Sequence, residues 1–444
     1  MKKHIMKILL ILIIVYTGCK DDPPVVPLPP EPKATLTQQD VSCLEAWIKL
    51  EFENIELPVN VSLLKDSILL LEINNLTSSN TIVYIDSLQP NQTYKFQSII
   101  QPINQSDEVK SNELQVTTLA PTSQSFMWQV YSWGMHSSSE IRDIAIIDEN
   151  NIWCVGEIYM NDSFGQLDTQ PYAVAHWDGL NWHFMKVPYH DFNQTTKHPG
   201  PLFSIDCIDD NIYVVSYANL LKWTGSDWEE IAFFMKQIPF DSQILKVWGF
   251  DKNNIYCVGR NGAIYIYFGS DWQKLEKKTE LDIYDILGQK TGNGGYEIIC
   301  VAAKPGISNN KKIYKIENNA IVELPSAGIP SSIKGLWFKS SNKYYVVGSG
   351  IFTKQNISSN FGWEPIWQGL TEYYTGSIDG NDINDIIICG AYGEMLHYNG
   401  STWRSYREEI GRQTASYGRV KIEGDLVVAV GQDHPKALIT IGRR

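Results

Sequence analysis

The sequence predicts an all-β protein, a small β-sandwich followed by a seven-bladed β-propeller. Three observations carry that expectation. Short segments of alternating polarity run from residue 34 to the end; beyond residue 127 a unit recurs every 40 to 49 residues; and the last unit lacks an outer strand that an orphan strand at the start of the array can supply.

At 444 residues the chain has room for two or three domains, and 43% hydrophobic with 20% charged residues is a globular composition. The net charge is −13, and removing residues 1–18 takes away three lysines and no acid, leaving −16. Such a surface repels phosphates, so nucleic acid is excluded as a partner. The seven cysteines form no CxxC pair, which excludes zinc ribbons and thioredoxin-type redox sites. Cys154, Cys257 and Cys389 recur at matching places of the repeat, where small buried apolar residues are expected rather than disulfides.

The amino terminus reads as an address. Three lysines in residues 1–7 precede nine apolar residues, Ile8 to Tyr16, and then Thr17-Gly18-Cys19. Nine residues are too few for a bilayer span, which takes about 20, and fit a signal-peptide core. A small residue before a cysteine resembles the lipobox of bacterial lipoproteins, although Tyr16 stands where leucine is usual. The resemblance implies cleavage after residue 18, lipidation of Cys19 and a membrane partner held through that lipid. Lys20-Asp21-Asp22 resembles the signal that sends some lipoproteins to the outer face of the outer membrane, so a surface-exposed envelope protein is expected. Six prolines among residues 23–32 make 19–33 a semi-rigid linker, extending about 3.1 Å per residue.

Residues 34–120 carry alternating strands at 46–50, 67–71, 81–85, 94–97 and 114–118, the spacing of a sandwich. Leu88-Gln89-Pro90-Asn91-Gln92-Thr93-Tyr94 resembles the tyrosine corner of fibronectin type III domains, and Ser111 and Thr117-Thr118 fit that pattern. The resemblance implies a Tyr94 hydroxyl bonded back to the turn backbone, with Trp47 as the core tryptophan of an early strand.

The array occupies 127–444. Each unit ends in an aromatic, a glycine turn and a tryptophan, as in Trp177-Asp178-Gly179-Leu180-Asn181-Trp182 and Tyr398-Asn399-Gly400-Ser401-Thr402-Trp403. A second signature lies upstream, as in Asn150-Asn151-Ile152-Trp153 and Asn253-Asn254-Ile255-Tyr256. Glycine and asparagine supply the positive-φ positions of tight hairpins. The markers Trp182, Trp228, Trp272, Ile321, Trp363 and Trp403 are 46, 44, 49, 42 and 40 residues apart, the length of a four-stranded blade. The final unit has three strands, at 420–422, 426–430 and 438–441, while Trp128 marks a strand at 127–132 with none before it. That strand is expected to complete blade seven and close the ring. The repeats are similar to propellers of the WD40-like and galactose-oxidase-like types, without the WD40 Gly-His and Trp-Asp or the kelch Gly-Gly pattern. The tryptophans are read as packing between blades.

No catalytic constellation, metal-ligand set or cofactor motif emerges. The histidines from His183 to His198 are spaced unlike any compact ligand motif, Asp162 and Asp168 lack the density of a calcium loop, and no nucleophile elbow or phosphate loop is present. The loops are more informative. Loops 157–171 and 188–201 are the longest, sit on adjacent blades and open on one face, near loop 132–140 with Trp133 and His136. They place Tyr159, Asp162, Phe164, Asp168, Tyr172, Tyr189, His190, Asp191 and Phe192 as the candidate ligand-binding residues. A competing location is the channel mouth near Arg142 and Trp248. The expected function is a surface binding module for an extracellular glycan or protein. The alternative is an envelope glycan hydrolase or lyase using the same face, which would need carboxylates or histidines converging on one reacting atom.

Overall fold

The computed structural model describes residues 30–103, 107–135, 139–162, 164–190, 195–232, 242–304, 310–366 and 369–444. Cys19, the signal-peptide segment, His136, Asp191 and Phe192 lie outside the described residues. The chain divides into two compact units, one of residues up to Thr37 with Lys49–Thr81 and Lys95–Leu114, the other of Gln38–Ile48, Ile82–Tyr94 and Gln115–Arg444.

Two antiparallel sheets form the amino-terminal β region. One has three strands, Lys33–Val41, Ala46–Glu53 and Asn80–Ile85. The other has five, with Val59–Lys65 and Thr93–Pro102 at its centre, flanked by Ile68–Leu76, Val109–Lys110 and Leu114–Thr117. Val59, Val61 and Leu63 are buried at alternate positions, as are Phe96, Ser98 and Ile100, the period-two pattern of a sheet with one covered face. The Gln89 amide donates to the Tyr94 hydroxyl at 2.9 Å, the bond expected of that turn. Trp47 is buried, but against Tyr345, Val347 and Ile378 of the second unit to which it belongs.

Residues 127–444 are a seven-bladed β-propeller. Blade one is Glu140–Asp148, Asn151–Ile158, Tyr172–Trp177 and Trp182–Met185; blade two is Ser204–Ile208, Asn211–Val215, Leu220–Trp223 and Trp228–Ala232. Blade three is Ile244–Asp251, Asn254–Gly259, Ile264–Tyr267 and Trp272–Lys274; blade four is Asp282–Lys290, Tyr296–Ala303, Lys311–Glu317 and Ala320–Leu324. Blade five is Ile333–Lys339, Lys343–Gly348, Gly350–Lys354 and Glu364–Pro365; blade six is Thr375–Asp382, Asp385–Gly390, Met395–Tyr398 and Trp403–Ser405. Blade seven takes Ser416–Glu423, Leu426–Asp433 and Lys436–Arg443 from the carboxy terminus and Met127–Trp133 as its outermost strand. That strand pairs antiparallel with the strand before it, Met127 opposite Arg443 and Trp133 opposite Ala437. The first strand of every blade contacts those of both neighbours, the last against the first, so the ring is closed as expected.

The sequence signatures touch one another. Gly179 and Gly269 have φ of 93° and 87°, and a Cβ on either would stand 2.9 Å from Asn150 Cβ or 2.2 Å from Asn253 Oδ1. The Asn of one turn therefore occupies the space that the Gly of the neighbouring turn leaves free. The tryptophans pair across the outer hairpins, Trp177 with Trp182 and Trp223 with Trp228. They also pack between blades: the Trp153 ring of blade one lies 5.7 Å from Trp223 of blade two, and Tyr131 of the closing strand lies 5.7 Å from Trp182. Cys154, Cys257 and Cys389 are buried and free.

Candidate functional site

In a propeller the connections after the second and fourth strands open on one face, here called the loop face. Both long loops are of that kind. Asn161 bridges to Leu167, and the Asp162 carboxylate accepts the amides of Phe164 and Gln166, each at 2.9 Å; it shapes the turn. Asp168 pairs with Lys186 at 2.5 Å, and that bond, with the Gln170 amide, holds its carboxyl below the ordinary range. The same lysine lies 5.3 Å over the Tyr172 ring. Tyr159 donates to Glu157 at 3.0 Å, and burial followed by the Glu157 charge pushes its hydroxyl up to about 12. The Tyr159 backbone bonds Met135 and Ser139, which brings loop 132–140 against loop 157–171.

The second loop is a β-hairpin, Pro188–His190 with Lys197–Pro199. His190 Nδ1 lies 2.7 Å from Glu230 Oε2, the His190 amide donates to Glu230 Oε1 at 2.8 Å, and Lys197 reaches the same buried carboxylate at 3.1 Å. One expectation is corrected here. Tyr189 is a core residue, packed with Val187 and Leu202 while its hydroxyl donates to the Pro201 carbonyl, so it adds no ring to the surface. Of the aromatics expected there, Phe164 stands free at 87% exposure, while Tyr159 and Tyr172 are half-buried.

The channel holds what the sequence did not disclose. Six of the seven innermost strands slip register once near the loop face, just before Asp143, Lys246, Asp285, Gly335, Ser377 and Arg419. Lys246 Nζ lies 2.7 Å from Asp143, and Arg419 spans Asp143 at 3.3 Å and Asp285 at 3.0 Å. Ser204 donates to Asp143. Blades one, two, three, four and seven thus meet in one buried ion cluster. Burial alone would raise the Asp143 pKa, but Lys246 and Arg419 outweigh it and hold the carboxyl at about 2. Asp143 is held ionised, and both acids are engaged in ion pairs with buried cations. Arg142 is bound to Glu157 and Glu140 and lies over Phe203; Trp248 packs on Gly288 between blades three and four. Among the described residues no three His, Cys, Asp or Glu side chains group closely enough to hold a metal ion.

A cavity of about 640 Å³ opens on the loop face at blade five. It lies between the connection from blade four, the second turn of blade five and the connection to blade six. Ile329, Pro330, Ile351, Phe352, Ile366 and Leu370 give it an apolar wall.

No protein-family model matches the chain, and no curated protein matches it in sequence. Solved structures do. YCF48 bound to D1 peptide is 14% identical, with 73% of this chain and 97% of that chain covered at a TM-score of 0.52. YCF48 from Cyanidioschyzon merolae is 16% identical over 71% of this chain and 98% of that chain, at 0.50. A catalytically inactive virginiamycin B lyase from Staphylococcus aureus with quinupristin is 10% identical over 71% and 99%, at 0.47. Identities this low speak to the fold, which is that of a propeller.

Proposed function

We propose that the chain is a lipid-anchored protein of the bacterial cell envelope whose propeller is a binding module, holding a protein segment by an apolar side chain on the loop face. The observation that carries this reading is the blade-five groove, an apolar recess whose volume of about 640 Å³ suits one or two large side chains. A surface strongly negative overall favours a partner that brings apolar and basic residues. Asp143 and Asp285 are taken up by Lys246 and Arg419, which counts against those two as the carboxylates of a hydrolase or lyase. A peptide is also what YCF48, alike in fold, is solved with. Residues 1–19 support the anchor and the linker supports a module standing clear of the membrane.

Leu370 is half-buried at the rim and packs against the core between blades five and six, so the melting temperature of Leu370→Asp is followed beside its binding to separate a lost anchor from a loosened core. In a peptide-library screen of the full chain, binders should share an apolar anchor and lose affinity about tenfold or more with Leu370→Asp. Binders indifferent to that change would overturn the groove. Separately, Cys19→Ala should release the protein from membranes, since the lipid is the proposed anchor. A variant that stays in the membrane fraction after alkaline washing would overturn the lipoprotein reading.

A further inference from the structure

The first turn of blade four is unlike the others. Thr291 to Gly295 take five residues between the first and second strands, where the other six blades use two or three. The extended hairpin walls a cavity of about 660 Å³ on the face opposite the loops, floored by Phe250 and Tyr256 and bounded by Lys315, Glu317, Asn318 and Ser341. From the hairpin Tyr296 stacks on Phe250, centroids 4.2 Å apart and planes within 13°, yet its side stays 38% exposed.

We infer that this cavity is a binding site for a neutral pyranose unit of a glycan. A sugar ring presents C–H groups on its faces and hydroxyls at its edge, so it is held by an aromatic platform with hydrogen-bonding groups around it. Tyr296 is such a platform, and Phe250 behind it fixes the ring plane. Beside it Glu297, 7% exposed, lines the cavity. Its Oε2 accepts from Ser340 at 2.8 Å and Tyr344 at 2.9 Å, whereas Oε1, with Lys315 at 4.0 Å its partner among the described residues, can accept from a ligand hydroxyl. The Asn318-Asn319 turn, both residues at positive φ, exposes two carboxamides at the rim that can donate as well as accept. Glu297 and Glu317 against one lysine, itself 2.5 Å from Glu317, leave the lining slightly negative, which selects a neutral sugar over a sulfated or uronic one.

The site shares no residue with the loop-face groove, so each can fail alone. The full chain would be titrated calorimetrically with neutral tetrasaccharides of glucose, mannose, galactose and N-acetylglucosamine. At least one should bind with Kd below about 1 mM. Tyr296→Ala should weaken it about tenfold or more, and Tyr296→Trp, which keeps the platform, should hold it within about threefold. Asn318→Ala gives a second reading, with a loss of about threefold or more expected and the melting temperature followed beside it because Asn318 holds a positive φ. Leu370→Asp should leave sugar affinity untouched. No binding by any tetrasaccharide up to about 5 mM, or binding that survives both Tyr296→Ala and Asn318→Ala, would overturn the site.

Discussion

Asp143 and Asp206 stand on the innermost strands of neighbouring blades, and burial acts on both, yet they end with opposite proton affinities. Asp143 has Lys246 at 2.7 Å and Arg419 at 3.3 Å, which more than repay desolvation. Asp206 lines a cavity of about 330 Å³ on the face opposite the loops and accepts the amides of Cys207 and Gly249, both at 3.1 Å. For Asp206 burial outweighs the pull of Lys246 and Lys421 and raises the carboxyl to about 6 from an ordinary 3.8. The signs follow from linkage. Asp143, depressed in the fold, contributes stability above about pH 4 that is lost as pH falls towards 2. Asp206, raised in the fold, keeps a proton the unfolded chain has given up, so its contribution falls as pH rises from about 4 to 6. Asp206→Asn removes the charge but keeps an acceptor for one of the two amides, because they bond different carboxylate oxygens. It should therefore flatten the pH dependence of stability between about 4 and 6, while the lost bond offsets part of any gain at pH 7. Denaturant midpoints across that range would check it; a variant that keeps the parent's slope would mean that Asp206 does not cause it.

At the scale of strands and turns, the fold was legible because each hairpin writes itself into neighbouring residues. Trp177 opposite Trp182 and Trp223 opposite Trp228 are close in sequence because they flank the same tight turn, and the Gly and Asn of adjoining turns fit into each other. Local rules of this kind repeat with the blade. The site was less legible, since polar and aromatic loop residues serve structure as readily as ligands. Asp162 spends its carboxylate on backbone amides, Asp168 on Lys186, and His190 on Glu230, which lies on the next blade 40 residues away. Tyr189 looked like a loop aromatic because the hairpin that buries it has no turn signature. The ion cluster left a faint trace: charged residues set directly before apolar runs, Asp143 before Ile144-Ala145-Ile146 and Lys246 before Val247-Trp248. Their partners sit on other blades, one of them 103 residues distant, and no local pattern names a partner that far away. The blade-four hairpin was equally open to reading, as Thr291-Gly292-Asn293-Gly294-Gly295 is the longest first turn of any blade. Its use depends on Phe250, which comes from blade three.

For the whole molecule, one pairing decides whether seven sheets make a ring or an open arc. The closing strand contributes seven residues, Met127–Trp133, and pairs along its whole length with Lys436–Arg443. It is also packed sideways: Tyr131 and Trp133 stand 5.7 Å and 5.5 Å from Trp182 of blade one. Phe126 stacks edge-on to Tyr406 and His397 of blade six. The approach to the strand is pinned as well, since Arg444 donates to the Ser123 carbonyl at 2.9 Å and pairs with Asp385 at 2.5 Å. Deleting residues 121–133 would uncover the outer edge of Lys436–Arg443 and the faces of Trp182 and Tyr406 together. Because each blade is held mainly by its neighbours, such a loss spreads beyond blade seven. The expected cost is more than about 4 kcal/mol, the range reserved for broken cores and lost networks. It should appear as a lower, broader thermal transition and as aggregation through the exposed edge. A deletion of 121–133 that melts like the parent would mean the ring does not depend on this strand.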